Sequence, residues 1–189
     1  ERPRASASEP ATVRVDKAQA ERLRSVMLPL LSRMDKPLAA GEVKVGIWDD
    51  PRVNAANAGG GEFYVTTGLL QRANDDQLRG IMAHEIAHAD LGHVAKTQTL
   101  ATGLQIGTFI LDQILPGSGA ISPIASRLAL SAYTRSEESA ADAHAVTLMK
   151  RAGHDGRQLM GDALTWIART EGESGGGFMD SHPATADRI

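Results

Sequence analysis

Cysteine is absent from all 189 residues, which rules out disulfides, thiolate nucleophiles and every zinc site that needs a sulfur ligand. Any metal held by this chain must use nitrogen and oxygen. An excess of positive charge is missing too. The 20 basic and 23 acidic residues leave a formal charge of −3, and a nucleic-acid backbone demands a basic face, so nucleic acid is not an expected partner. No run reaches the roughly 18 uninterrupted apolar residues of a membrane span. The nearest, 100–115, is broken by Gln105, Asp112 and Gln113. The chain opens on Glu1 rather than methionine, so no targeting signal can be read from it. What is present, 42% hydrophobic and 23% charged residues, suits a soluble globular chain with one core.

Against that background one stretch carries chemistry. His84-Glu85-Ile86-Ala87-His88 places two histidines four residues apart. On a helix, four residues turn the chain through roughly 400°, so both imidazoles lie on one face and can close on a single zinc ion. Glu85 sits beside them, where its carboxylate can reach a water and act as general base. With 6 histidines and 10 glutamates in the chain, HExxH arises by chance about once in a hundred such sequences, so its surroundings decide its meaning.

Residues 1–14 are rich in Pro, Ser, Ala and Arg with few large apolar side chains and read as a flexible tether; 15–189 form the folded domain. Asp16 and Gln19 resemble a capping box ahead of Leu23, Met27, Leu30, Leu31 and Met34, an apolar helical face that Pro37 ends. Val43, Val45 and Ile47 alternate with Lys44, Gly46 and Trp48 as in a half-buried strand. After a loop with Asn54, Ala55, Asn57 and the glycines 59–61, Phe63, Tyr64, Val65, Thr66 and Thr67 form a second strand. Asn74 as N-cap and Gln77 open the helix that contains HEIAH. His93, nine residues after His84, falls about 180° round that helix and reads as structural or solvent-facing. The apolar stretch 98–115 reads as helical, and 98–130 as a helical hairpin in the core or a mobile lid over the site. His144 and His154 show no partner.

Two histidines leave a zinc one protein ligand short, with a fourth position for water. In Arg135-Ser136-Glu137-Glu138-Ser139-Ala140-Ala141-Asp142, Glu138 and Asp142 share a helical face at i, i+4 while Glu137 points elsewhere. Glu138 is the candidate third ligand, and Asp142 can fix a zinc histidine, His84, through its other ring nitrogen. The plain alternative is a solvated acidic face.

HEIAH followed some fifty residues later by RSEESAAD resembles the HtpX-like and BepA-like zinc metallopeptidases, gluzincins whose short soluble members are the minigluzincins. Asn54-Ala55, the strand 63–67 leading into Thr67-Gly68-Leu69-Leu70, and Ser181-His182-Pro183 with Arg188 match that family's landmarks in order, over residues 16–189. The resemblance implies a mainly α-helical α+β zincin fold with a small β-sheet next to the HExxH helix, and one Zn2+ per chain. The implied ligands are His84, His88 and Glu138, with Arg135 opening the third-ligand motif and Asp142 closing it. The implied activity is zinc endopeptidase hydrolysis of polypeptides in quality control, and the strand Phe63–Thr67, which precedes the metal helix, is the expected edge along which an unfolded or misfolded substrate lies extended. By its own residues His182 is a feature of a helix start before Pro183; the resemblance implies instead that it lies over the metal and stabilises the oxyanion or occupies the open position. In the second case the chain is alternatively a zinc-gated peptide-binding or chaperone-like module closed by His182. Arg188 is expected to buttress the His182 loop. The polar lead-in suits a bacterial periplasmic or cell-envelope protein close to membrane or envelope complexes.

Overall fold

A computed structural model describes residues 15–93, 106–111, 133–171, 177–183 and 188. The expected tether and most of 98–130 lie outside the described residues. Helix α1, Lys17–Leu31, is capped by Asp16, which accepts from the Ala18 N–H, so the cap bonds the second helical residue rather than closing a box with Gln19. Its buried stripe of Ala20, Leu23, Val26, Met27, Leu30 and Leu31 follows helical spacing, and Pro29 sits in the last turn, two residues before the last helical residue, Leu31.

Four strands form one sheet in the order β2-β3-β1-β4: β1 is Lys44–Trp48, β2 Ala55–Gly59, β3 Glu62–Thr66 and β4 Ile106–Ile110. β1 and β3 run parallel, with Val45 opposite Phe63 and Ile47 opposite Val65; β2 pairs antiparallel with β3 and β4 antiparallel with β1. The β2–β3 turn uses Gly59, Gly60 and Gly61 at φ 80°, 58° and 80°, backbone that side chains with a Cβ rarely adopt. Alternation sends Val45, Ile47, Phe63 and Val65 into the core and leaves Trp48 and Tyr64 stacked 5.0 Å apart on the opposite face.

Two expectations fail here. β3 is an interior strand, hydrogen-bonded to β2 on one side and β1 on the other, so Phe63–Thr66 offers no free edge; the described edge next to it is β2. Thr67 has already left the strand: Thr66 caps α2, Thr67–Arg72, by accepting from the Leu69 N–H. The second failure is at 106–110, a strand rather than a helix, because the β1 edge is there to pair with it and tertiary pairing overrides apolar run length.

Helix α3, Asp75–Asp90, carries the HEIAH segment and has the Asn74–Gln77 capping box, with Asp75 and Asp76 complementing its N-terminal dipole. It is buried almost all round, packed against α1, β2, α4 (Arg135–Arg151) and α5 (Gly156–Glu171). Gly80 allows the close approach to α5: a Cβ there would lie 2.7 Å from the Cβ of Ala163. The last described helix, α6, is the four-residue Phe178–Ser181.

Candidate metal centre

Burying helix α3 sets the site inside the molecule. His84, Glu85 and His88 are each 0% exposed. α4 brings the next group: Thr134 caps it in a box with Glu137, which uses up Glu137 at the helix end and turns Glu138, one residue on, into the interior. Glu138 and His182 are 1% and 0% exposed. His182 arrives from the end of α6, whose first side chain, Phe178, stacks on its ring at 4.2 Å.

The donor atoms converge. His84 Nε2 lies 2.9 Å from His88 Nε2 and 3.1 Å from His182 Nδ1. Glu138 Oε1 lies 2.9 Å from His182 Nδ1 and 3.3 Å from His88 Nε2, and Oε2 3.4 Å from His84 Nε2. One atom from each of these four residues falls within 4.8 Å of all the others. Ligands about 2.0–2.1 Å from a tetrahedral zinc stand about 3.3 Å from one another, close to the spacings here. Nitrogens turned toward nitrogens across 2.9 Å share at most one proton, so the set suits a cation. Three nitrogens and one oxygen, with no sulfur, fit zinc.

Electrostatics divide the group. Burial pushes His182 down to about 3 and His88 down to about 4, which keeps both imidazoles neutral, the form that binds metal. Burial opposes charge on His84 as well, but its hydrogen bonds with Asp142 and Glu138 outweigh that and hold it up at about 9. Burial would raise Glu138; the hydrogen bonds from His182, His84 and His88 win, and its carboxyl is held far below the usual range. Burial pushes Glu85 up to about 7, against the charge of His84 and with that of Glu138, and His182 Nε2 stands 3.2 Å from Glu85 Oε1.

A second layer fixes the rings. Asp142 Oδ1 is 2.9 Å from His84 Nδ1, so Glu138 and Asp142 do share a face of α4. Arg188, its side chain 2% exposed, grips Asp142 through Nε and Nη2 at 2.7 and 3.0 Å, places Nη1 2.6 Å from Glu138 Oε2, and donates to the carbonyls of His182 and Pro183 at 3.1 and 3.0 Å. Arg135, the arginine expected to support the centre, is exposed at the first position of α4; the helix axis carries it away, and the arginine touching the site is Arg188.

His93 corrects the helix-wheel reading. α3 ends at Asp90, Gly92 takes φ 73°, and the N–H groups of His93 and Gly92 return to the carbonyls of His88 and Ala89, a Schellman turn. The fold-back brings His93 Nδ1 to 3.0 Å from His88 Nδ1. Tyr133 escaped sequence reasoning altogether: its ring stacks on His88 at 3.8 Å and 19°, with the hydroxyl buried and, among the described residues, without a hydrogen-bond partner. Nothing local to Tyr133 signals a contact 45 residues back. His144 also has a partner, Asp90, at 2.6 Å.

A buried helical HExxH completed by a glutamate from a second helix, beside a small mixed sheet, defines the gluzincin class of metal centre. The sequence pattern of Peptidase family M48 matches residues 17–189, and the chain belongs to that family. It is similar to Metalloprotease YcaL of Escherichia coli strain K12, 31% identical over 144 residues that cover 72% of this chain and 55% of the relative. It is also similar to Metalloprotease LoiP of the same organism, 26% identical over 141 residues covering 72% and 56%, and to a Protease HtpX homolog of Bacillus licheniformis, 40% identical over 80 residues covering 39% and 26%. The chain thus spans about half the length of the two Escherichia coli relatives. No helix among the described residues is long and apolar enough to cross a membrane.

Proposed function

We propose that this chain is the catalytic domain of a zinc metalloendopeptidase, with one Zn2+ held by His84, His88 and Glu138. The observation that carries this reading is the convergence of those donors within 4.8 Å beside a fully buried Glu85, whose Oε1 lies 3.2 Å from His182 Nε2. Zinc bound there would polarise a scissile carbonyl and acidify water. Glu85 takes the proton from the attacking water and returns it to the leaving nitrogen. Asp142 holds the Nδ1 side of His84, and His93 that of His88, so that each Nε2 stays turned inward. Arg188 holds Asp142 and the His182 loop in register.

Substrate is read as an extended polypeptide lying along β2, Ala55–Gly59, the outer strand of the described sheet on this side and the one packed against α3. Backbone pairing of that kind takes any sequence but requires an unfolded segment, which favours misfolded substrates and a quality-control role. An envelope location rests on the polar lead-in of the sequence alone.

His182 favours a second, compatible reading. Its Nδ1 is among the four converging donors, so it acts as a fourth ligand in a resting state and as an oxyanion donor, through its imidazole, once displaced. Casein digestion by zinc-loaded protein tests the enzyme. Glu85→Gln should retain one zinc per chain by metal analysis while kcat/KM falls about 10³-fold. Equal rates for the two proteins, or no chelator-sensitive turnover in either, would sink the peptidase reading.

A further inference from the structure

The segment that delivers His182 is held at its far end by a carboxylate and a backbone carbonyl. Glu171, the last residue of α5, accepts from the Phe178 N–H at 2.6 Å and the Met179 N–H at 3.1 Å, the two leading backbone donors of α6. A helix of four residues has almost no internal hydrogen bonding of its own, so this grip and the bond from Phe178 N–H to the Val53 carbonyl, 3.0 Å, fix where α6 begins. Its other end is His182, and Phe178 stacks on that imidazole while meeting His84 edge-on at 5.8 Å. Position 177 fits the same purpose. A Cβ on Gly177 would lie 2.4 Å from the Glu171 carboxyl carbon and 2.6 Å from both its oxygens, so only glycine there lets the carboxylate reach the helix start. Glu171 also lines a cavity of about 220 Å³ together with Pro51, Arg52, Arg72 and Gly177, beside the start of α6.

We infer that Glu171 is the positioning residue for His182: by clamping the start of α6 it seats the imidazole in the metal centre, and its release opens the fourth position. The inference rests on the reading that His182 closes the site. It reaches beyond that reading by placing the control of closure in the contact of Glu171 with Phe178 and Met179, outside the ligand set.

The test follows two quantities that need no proteolysis: the rate at which excess 4-(2-pyridylazo)resorcinol strips zinc from the loaded chain, and the affinity of the loaded chain for acetohydroxamate, a small zinc ligand. His182→Ala should speed stripping and tighten hydroxamate binding. Glu171→Ala should do both in the same direction, with stripping about tenfold faster, and Glu171→Gln, which keeps one acceptor oxygen, should fall between. Gly177→Ala, which only pushes the carboxylate aside, should match Glu171→Ala and serves if that variant fails to fold. The Glu171→Ala/His182→Ala double variant should behave like His182→Ala alone, since a residue acting through His182 has nothing left to position. Wild-type behaviour of both Glu171→Ala and Gly177→Ala alongside a responsive His182→Ala overturns the inference and leaves the closed-site reading standing. Multiplying effects in the double variant do the same. A silent His182→Ala overturns both.

Discussion

Tyr133 shows what a single side chain contributes around the metal. Its ring lies flat on His88 at 3.8 Å and stands 5.2 Å from that of His182, so it sets the plane of one imidazole and limits the travel of another. An aromatic pair of this kind is worth about 1 kcal/mol beyond its buried area, or about fivefold in an equilibrium constant. Tyr133→Ala should therefore weaken zinc binding about fivefold in a competitive chelator titration, while Tyr133→Phe, which keeps the stack, should leave it unchanged. A Phe variant as weak as the Ala variant would assign the effect to the hydroxyl instead. Asp142 and Arg188 work at the same scale by a different force: a bidentate guanidinium–carboxylate pair backs the carboxylate that holds His84, which makes the ring orientation depend on charge as well as packing.

Among the elements, α3 does the positioning, and its end is pinned as firmly as its middle. Asp90, 3% exposed, accepts from the backbone N–H groups of Asp35 and Lys36 at 2.8 Å each and sits 2.6 Å from His144 on α4, so one carboxylate ties the α1–β1 connection to α3 and α4. Burial opposes its ionisation, but the bonds from His144, Asp35 and Lys36 outweigh that and lower its pKa below the ordinary 3.8. A folded-state pKa below the unfolded one means that the unfolded chain takes up the proton first. The stabilisation is therefore complete above pH about 4 and is lost as pH falls through the folded value. Asp90→Asn should cost about 2 kcal/mol at pH 7 in urea unfolding, and the gap between variant and wild type should narrow below pH about 4. A gap that stays constant down to pH 2 would show that the charge of Asp90 plays no part.

For the molecule as a whole, the metal centre is where α3, α4 and α6 meet, so a cation there bridges three elements far apart in sequence. A zinc present at about a thousandfold its Kd adds about 4 kcal/mol to stability, which for a chain of this size amounts to about 10 °C in Tm. Stripping zinc with EDTA should lower Tm by that amount in a calorimetric scan, and restoring zinc should recover it. An unchanged Tm would mean that the donors converge without a metal to hold them together.

The shared face of the HExxH histidines, that of Glu138 and Asp142, and the capped α3 were legible because each depends on spacing within one helix, and helical geometry is local. The core faces of α1 and β1 were legible for the same reason. Sequence order cannot tell an interior strand from an edge, because that depends on the neighbours, and β3 has β1 on one side and β2 on the other. Nor could it show that 106–110 pairs with β1, that a Schellman turn returns His93 to His88, or that Tyr133 and Phe178 gather round the centre, although the buttress that Arg188 gives the His182 loop was expected. The sequence by itself determined which groups this protein has for holding a metal and moving a proton. The tertiary structure alone decided which of them meet, because contacts between residues tens of positions apart are set by how helices and strands pack.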